Sequence, residues 1–456
     1  MKKSNKQNHK IVALFAGATA LMALTPNIHA QTSVDSLLDK LEQKGVLTVD
    51  EAKELRAENA TNSVADFNTE MNAKFPTPDW VTGYKLSGDF RGRYDEQSSD
   101  NPSVVERDRL RYRLRVGLTI DMTDNLEVGF RVGSGDPSTG TNPGFTTSTG
   151  NPLSNNQTMA DNASKKPLYI DTAYGKWTPI NDGTWMTALT FGKMLQPFDA
   201  TPMVFDPDYT PEGGAFQASY KLNNQQTLRF NSAAFVLDEI KASTRDPYLF
   251  GGQIFWDAKW TSKLGTTLGF SAYDIANGVN LSTTYDSNLG NTITGGHFAT
   301  DFSPFVITGN ATYTLDSFPL YNGAFPIKLG GEYMDNTGAS ANSRGWWGGV
   351  TFGKSGKKGT WDVSYRYQAL DANAWWDQIV DDDNVGAFPT SATAAGLAGG
   401  TNIKGSLLKV NYSPLDYVTF TFTCFANSLI TPSLQGFATT EKTDALHVMA
   451  DVMLKF

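Results

Sequence analysis

Five arginines recur at every second position from Arg107 to Arg115, in the run RDRLRYRLRVGLTI. From Leu110 onward the intervening positions are apolar: Leu110, Tyr112, Leu114, Val116, Leu118 and Ile120. A period of two marks a β-strand with two unlike faces. Alternate side chains on a strand stand about 7 Å apart. Two like charges at that separation repel by about 0.6 kcal/mol in water and roughly four times that at an effective dielectric near 20. Five in a row therefore need water, acidic partners or both. Such a line can attract anions and orient a field across an aqueous passage.

Residues that would support catalysis or metal chemistry are sparse. Beyond residue 30 the only histidines are His297 and His447, and no serine is matched to His447, which faces inward by parity. No zinc spacing, phosphate loop or G-x-S-x-G occurs. An enzyme is not expected, nor a cofactor, nor a resident metal. Asp381, Asp382 and Asp383 could hold Ca²⁺ or Mg²⁺, but a solvated loop tip accounts for them more simply. The single cysteine, Cys424, excludes an intrachain disulfide. It shares parity with Phe420 and Phe422 and reads as a small filler on their apolar face.

The strands on either side must position the arginines. Upstream, Tyr84, Leu86, Phe90 and Tyr94 fall on one parity, and Asp89, Arg91, Arg93 and Asp95 on the other. Downstream, past a turn at 121–125, Leu126, Val128, Phe130 and Val132 alternate with Glu127 and Arg131. Three successive strands thus share one apolar and one charged face, the pattern of an antiparallel meander. The basic set is Arg91, Arg93, Arg107, Arg109, Arg111, Arg113, Arg115 and Arg131. It reads either as a basic wall or as a structural ladder neutralised by Asp89, Asp95 and Glu127. The arginines outnumber those acids, which favours the wall.

Residues 1–30 read as a secretory signal: a lysine-rich head, a short apolar core and a small-residue cleavage site after Ala30. The formal net charge of −9 becomes more negative once that leader is removed, which argues against a general nucleic-acid binder. Residues 31–60 carry the one convincing helical pattern, a hairpin expected to hang in the periplasm, and 61–82 a polar linker. Beyond it the chain is β throughout. Leu168, Ile170 and Tyr174 are expected on one face, as are Trp185, Leu189 and Phe191 and the strands that follow. Sixteen strands result, 83–456 in all. Short turns alternate with long loops at 135–166, 195–212, 276–304, 370–401 and 429–442. Aromatics such as Trp177, Trp185, Trp260 and Trp361 fall near strand ends. A soluble sandwich would bury such apolar faces against each other. A transmembrane antiparallel β-barrel turns them to lipid and keeps water inside. The roughly 50 residues after the leader are too few for the plug of a receptor-dependent transporter.

The hairpin LEQKGVLTVDEAKELR, the strand RDRLRYRLRVGL and the terminal VMLKF resemble those of bacterial outer-membrane porins of the putative porin family. The resemblance covers nearly the whole chain after the leader. It implies a homotrimer in the outer membrane, amid its lipid and lipopolysaccharide, passing small hydrophilic or charged solutes by diffusion. It also implies that the third outward loop, 195–212, folds into the pore. Its acids Asp199, Asp206, Asp208 and Glu212 would then oppose the arginines at a constriction. Phe456 matches the terminal aromatic read by barrel-assembly machinery. An anion-selective, phosphate-type channel and a structural or adhesive barrel are the alternatives.

Overall fold

The computed structural model describes residues 78–137, 149–241, 243–281, 289–388, 396–435 and 442–456. The expected signal, hairpin and nearly all of the linker lie outside these residues. A compact unit begins at Trp80 and runs to Phe456.

Sixteen long strands build that unit: β1 (Val81–Ser98), β2 (Arg107–Met122), β3 (Leu126–Gly133), β4 (Tyr169–Asn181), β5 (Trp185–Lys193), β6 (Glu212–Asn223), β7 (Gln226–Val236), β8 (Tyr248–Lys259), β9 (Leu264–Ala276), β10 (Pro304–Leu315), β11 (Phe325–Asn336), β12 (Arg344–Gly353), β13 (Thr360–Leu370), β14 (Ile403–Leu415), β15 (Val418–Leu429) and β16 (Ala445–Lys455). Each pairs antiparallel with the next in sequence. Helix among the described residues is confined to three short 3₁₀ turns.

The last strand returns to the first, Asp89 lying opposite Lys455 and Ser98 opposite Leu446. Two further bonds extend the seam: Gly88 N–H to the Phe456 carbonyl at 2.8 Å, and Phe456 N–H to the Gly88 carbonyl at 3.1 Å. Gly88 is needed here, since a Cβ would meet the Phe456 ring at 2.4 Å. The sheet is therefore closed and has no edge.

The outer face is apolar and bare. Leu110 is 57% exposed and Phe191 77%. Apolar area left in water forgoes about 25 cal/mol per Å², so a face this continuous belongs against hydrocarbon. Rings gather near the short turns, where the tilted rings of Trp185 and Tyr220 lie 4.4 Å apart and Phe318, Tyr321 and Phe325 surround Trp361. The turn between β2 and β3 uses Asp124 and Asn125 at φ near +60°, a conformation that these two residue types tolerate.

One strand departs from simple parity. Tyr174 does not share the outer face with Ile170. A register shift between Arg131 and Val132 leaves Asp171 as an extra residue on β4, and both Asp171 and Thr172 are buried. A bulge of this kind inverts every later side chain on its strand. Tyr174 points inward and donates to Glu127 Oε1 at 2.8 Å. Its ring lies over Gly129, where a Cβ would come within 2.2 Å of it.

Facing can be checked with single cysteines in a Cys424→Ala background. Leu110→Cys and Ala173→Cys should react with lipid-soluble thiol probes, and Tyr174→Cys and Lys176→Cys with water-soluble ones. Labelling of Tyr174→Cys from the lipid side alone would rule out the bulge.

Candidate functional site

The arginine line faces the barrel interior, where register supplies its first partners. Asp89 lies opposite Arg115 and Asp95 opposite Arg109. Asp89 bridges Arg113 and Arg115 at 2.9 and 2.8 Å. Asp95 binds Arg109 at 2.8 Å and lies 3.6 Å from Arg111, which is also 3.6 Å from Asp136. Arg131 pairs with Asp171, the residue that the bulge turns inward. Arg93 pairs with Asp451 of β16 at 2.8 Å. Arg91 donates to Asn156 Oδ1 at 2.6 Å. Arg107, near the long-loop end of β2, is exposed. Glu127, the third acid expected at the ladder, binds Tyr174 and lies 3.9 Å from Lys176 instead.

Two long loops complete the site from above. The third, residues 194–211, turns into the barrel, and a bond from Met194 N–H to the Pro211 carbonyl at 2.9 Å closes its neck. Phe198, Met203, Val204 and Phe205 are buried within it against Phe235, Leu249 and Tyr273 of the wall. The seventh loop, between β13 and β14, enters beside it with Trp375, Trp376, Ile379 and Val380. One side-chain and two backbone bonds join the two: Trp375 Nε1 to the Val204 carbonyl at 2.8 Å, Asp206 N–H to the Ile379 carbonyl at 2.8 Å, and Asp381 N–H to the Pro202 carbonyl at 3.0 Å. Phe302 of the fifth loop packs on Trp375. The interior of this barrel thus holds an apolar core of its own.

The acids of the third loop go to different places. Asp208 reaches the ladder, 3.1 Å from Arg113 and 3.2 Å from Arg115. Asp206 is only 3% exposed and accepts the backbone N–H groups of Asp208 and Asp382 at 2.7 and 3.1 Å. Asp199 pairs with Arg229 on β7 at 2.9 Å. Glu212, with a side chain 64% exposed, pairs with Lys193 at the neck. The second contact with the ladder comes from the seventh loop: Asp383 binds Arg93 at 3.1 Å. The Asp383 carbonyl lies 2.7 Å from His447 Nδ1, and His447 Nε2 lies 3.4 Å from Asp95. The run Asp381–Asp383 is packed inside the barrel rather than a solvated tip.

Charge within the loops is uneven. Asp206, Asp381 and Asp382 place carboxylate oxygens within 4.8 Å of one another. Burial, then repulsion from neighbouring carboxylates (Asp382 and Asp381 for Asp206, Asp383 for the other two), pushes Asp206 and Asp382 well above the usual carboxylate range, and Asp381 up to about 6. Burial opposes ionisation of Asp383 too, but Arg93, His447 and Arg91 together outweigh it and hold that carboxyl at about 2. The loops therefore touch the ladder through ionised groups and keep a proton-sharing cluster behind them.

Sequence reasoning located the ladder and Asp208 but not Asp383, Asp451 or the tryptophans of the seventh loop. The run Ala374–Val380, AWWDQIV, was the available signal. It is too apolar for a solvated loop.

Residues 100–326 match the family described as Putative porin. Over those residues the chain belongs to the putative porin family. Among solved structures, Pseudomonas putida OprB aligns with a TM-score of 0.51 and 11% identity, over 85% of this chain and 96% of that one. A triple mutant of the Rhodopseudomonas blastica porin aligns with a TM-score of 0.38 and 11% identity, over 82% and 100%. No curated protein sequence matches. The likeness to OprB supports the fold. Family and fold together make this a porin channel and point to the outer membrane.

Two outcomes follow from the porin's charges. Arg93→Met would strand Asp383 and Asp451, and loss of one partner from a buried pair costs about 3–5 kcal/mol. Urea unfolding in lipid vesicles should register a loss of that size. The second concerns pH. In the folded porin Asp381 keeps its proton up to about 6, whereas an unperturbed aspartate loses it near pH 4. Loop packing gains from this at low pH and loses that gain as pH rises through about 6. Amides of residues 381–383 should be better protected from hydrogen exchange at pH 5 than at pH 7.5, after correction for intrinsic rates. Equal protection would show that the cluster shares no proton.

Proposed function

We propose that this porin is a water-filled channel for passive diffusion of small hydrophilic or charged solutes across the outer membrane. The observation that carries the reading is the pair of inward loops, which set Asp208 and Asp383 against an arginine wall inside a closed barrel. A fixed charge beside a low-dielectric wall acts more strongly than in bulk water. The ladder residues Arg91, Arg93, Arg107, Arg109, Arg111, Arg113, Arg115 and Arg131 supply the basic side of the constriction, and Asp208 and Asp383 the acidic side. The working unit is a homotrimer, with the segment before the barrel in the periplasm. Phe456 serves as the recognition signal for assembly. Its exposed ring at the end of β16 supports that role.

Planar bilayers test the reading. Purified protein should give stepwise conductance that rises with salt. Asp208→Asn should move the reversal potential in a KCl gradient toward anion preference, and Arg113→Gln toward cation preference. Both shifts should shrink at 1 M salt, where the screening length is about 3 Å. Absence of conductance from correctly assembled barrels would reject the channel.

A further inference from the structure

On the short-turn side of the inward loops the wall carries cations of a different kind. Lys85 on β1, Lys221 on β6, Lys328 on β11 and Lys409 on β14 face the lumen, since their neighbours Leu86, Leu222, Leu329 and Leu408 stand bare on the outer face. All four lysines are exposed. An inward side chain is exposed only where the space before it is open, so this half of the barrel is a vestibule open to solvent. Lys85, Lys221 and Lys328 lie near the short-turn ends of their strands and Lys409 at mid-wall. Barrels of this class turn their short connections to the periplasm.

Register keeps these cations unpaired. At the ladder it sets acids opposite Arg109 and Arg115. Here it sets hydroxyls: Thr119 opposite Lys85, Thr227 opposite Lys221, Thr312 and Thr351 on either side of Lys328, and Ser364 and Thr423 on either side of Lys409. Among the described residues none of the four ammonium groups makes a salt bridge or a side-chain hydrogen bond. The inward acids of the same half are engaged elsewhere. Glu127 takes Tyr174 and Lys176. Asp257 takes Arg229 and Thr267 at 2.6 and 2.7 Å. Asp362 takes Asn411 at 2.7 Å and the Ser355 N–H at 2.8 Å. Asp121, exposed at the end of β2, is left against the four lysines. The vestibule wall is therefore net basic, whereas the arginines beyond it are joined to fixed carboxylates.

We propose that Lys85, Lys221, Lys328 and Lys409, with the hydroxyls beside them, form an anion-collecting vestibule on the periplasmic side of the constriction, where small multivalent anions gather, and that they give the pore a preference for anions. The inference rests on the channel reading above and deepens it. An arginine joined to a carboxylate contributes little net field, whereas an ammonium group with no fixed counter-charge acts on each mobile ion. Lysine attracts without clamping, because its head is a hydrated point charge on a flexible stem. Threonine and serine add donors that replace part of an anion's water. The four lysines stand on strands spread around the ring rather than on one wall, so their potentials add on the axis.

The test uses the full-length protein in planar bilayers at low salt. Lys85→Gln combined with Lys328→Gln should still conduct, while the anion-to-cation permeability ratio falls at least about twofold. Citrate should reduce chloride current through the unsubstituted protein, and the double variant should need at least about fivefold more citrate for the same reduction. Lys328→Cys, in a Cys424→Ala background, can be modified after assembly, so folding is not at issue. A sulfonate-bearing thiol reagent should lower its permeability ratio, and an ammonium-bearing one should raise it. A ratio that neither reagent moves, or equal citrate sensitivity of the unsubstituted protein and the double variant, would overturn the inference. In both cases conductance of the unsubstituted protein would leave the channel reading standing.

Discussion

A backbone amide without a partner in hydrocarbon costs several kcal/mol. That penalty governs this structure. Sixteen strands satisfy their neighbours, and the seam between β1 and β16 satisfies the pair that an open sheet would leave bare. Once the ring closes, each strand has a lipid face and a lumen face, and a residue's chemistry must suit one or the other. The bulge at Asp171 shows the constraint from its exception. One extra residue sends Tyr174 inward, and the inward face accepts it by supplying the Glu127 carboxylate.

The same closure makes the arginine line possible. Several guanidinium groups close together away from bulk water are costly unless paired. Two acids come from the facing strand by register, one from the bulge, one from the far side of the seam, and three, Asp136, Asp208 and Asp383, from loops. Asp451 can meet Arg93 only because the last strand lies beside the first. The ladder is thus held by residues up to 358 positions apart in sequence, and its charge is largely balanced where the loops touch it.

The inward loops form a second core inside a lumen that is otherwise polar. Phe198, Phe205, Trp375 and Phe302 bury one another, and the backbone bonds between loops three and seven fix their relation. This core holds Asp208 and Asp383 in place on one flank.

The sequence by itself determined the barrel. Parity of two, alternation of turn and loop length, and the terminal aromatic strand are local properties, and they specified sixteen strands, their facing and the inward arginines. The entry of the third loop was expected from the family resemblance, with Phe198, Met203 and Phe205 as the supporting apolar residues. Tertiary structure alone decided which charges meet. Asp199 and Asp206 share a loop with Asp208, and Glu212 opens the strand after it, yet only Asp208 reaches the ladder, because the loop's path depends on the pocket formed by β7–β9 and the seventh loop. Asp383 and Asp451 lie far from Arg93 in the chain, and nothing local distinguishes them from other acids. The inversion after Asp171 depends on register across two strands. Pairing is a property of three-dimensional distance, and in a closed barrel that distance is set by strands and loops that periodicity cannot bring together.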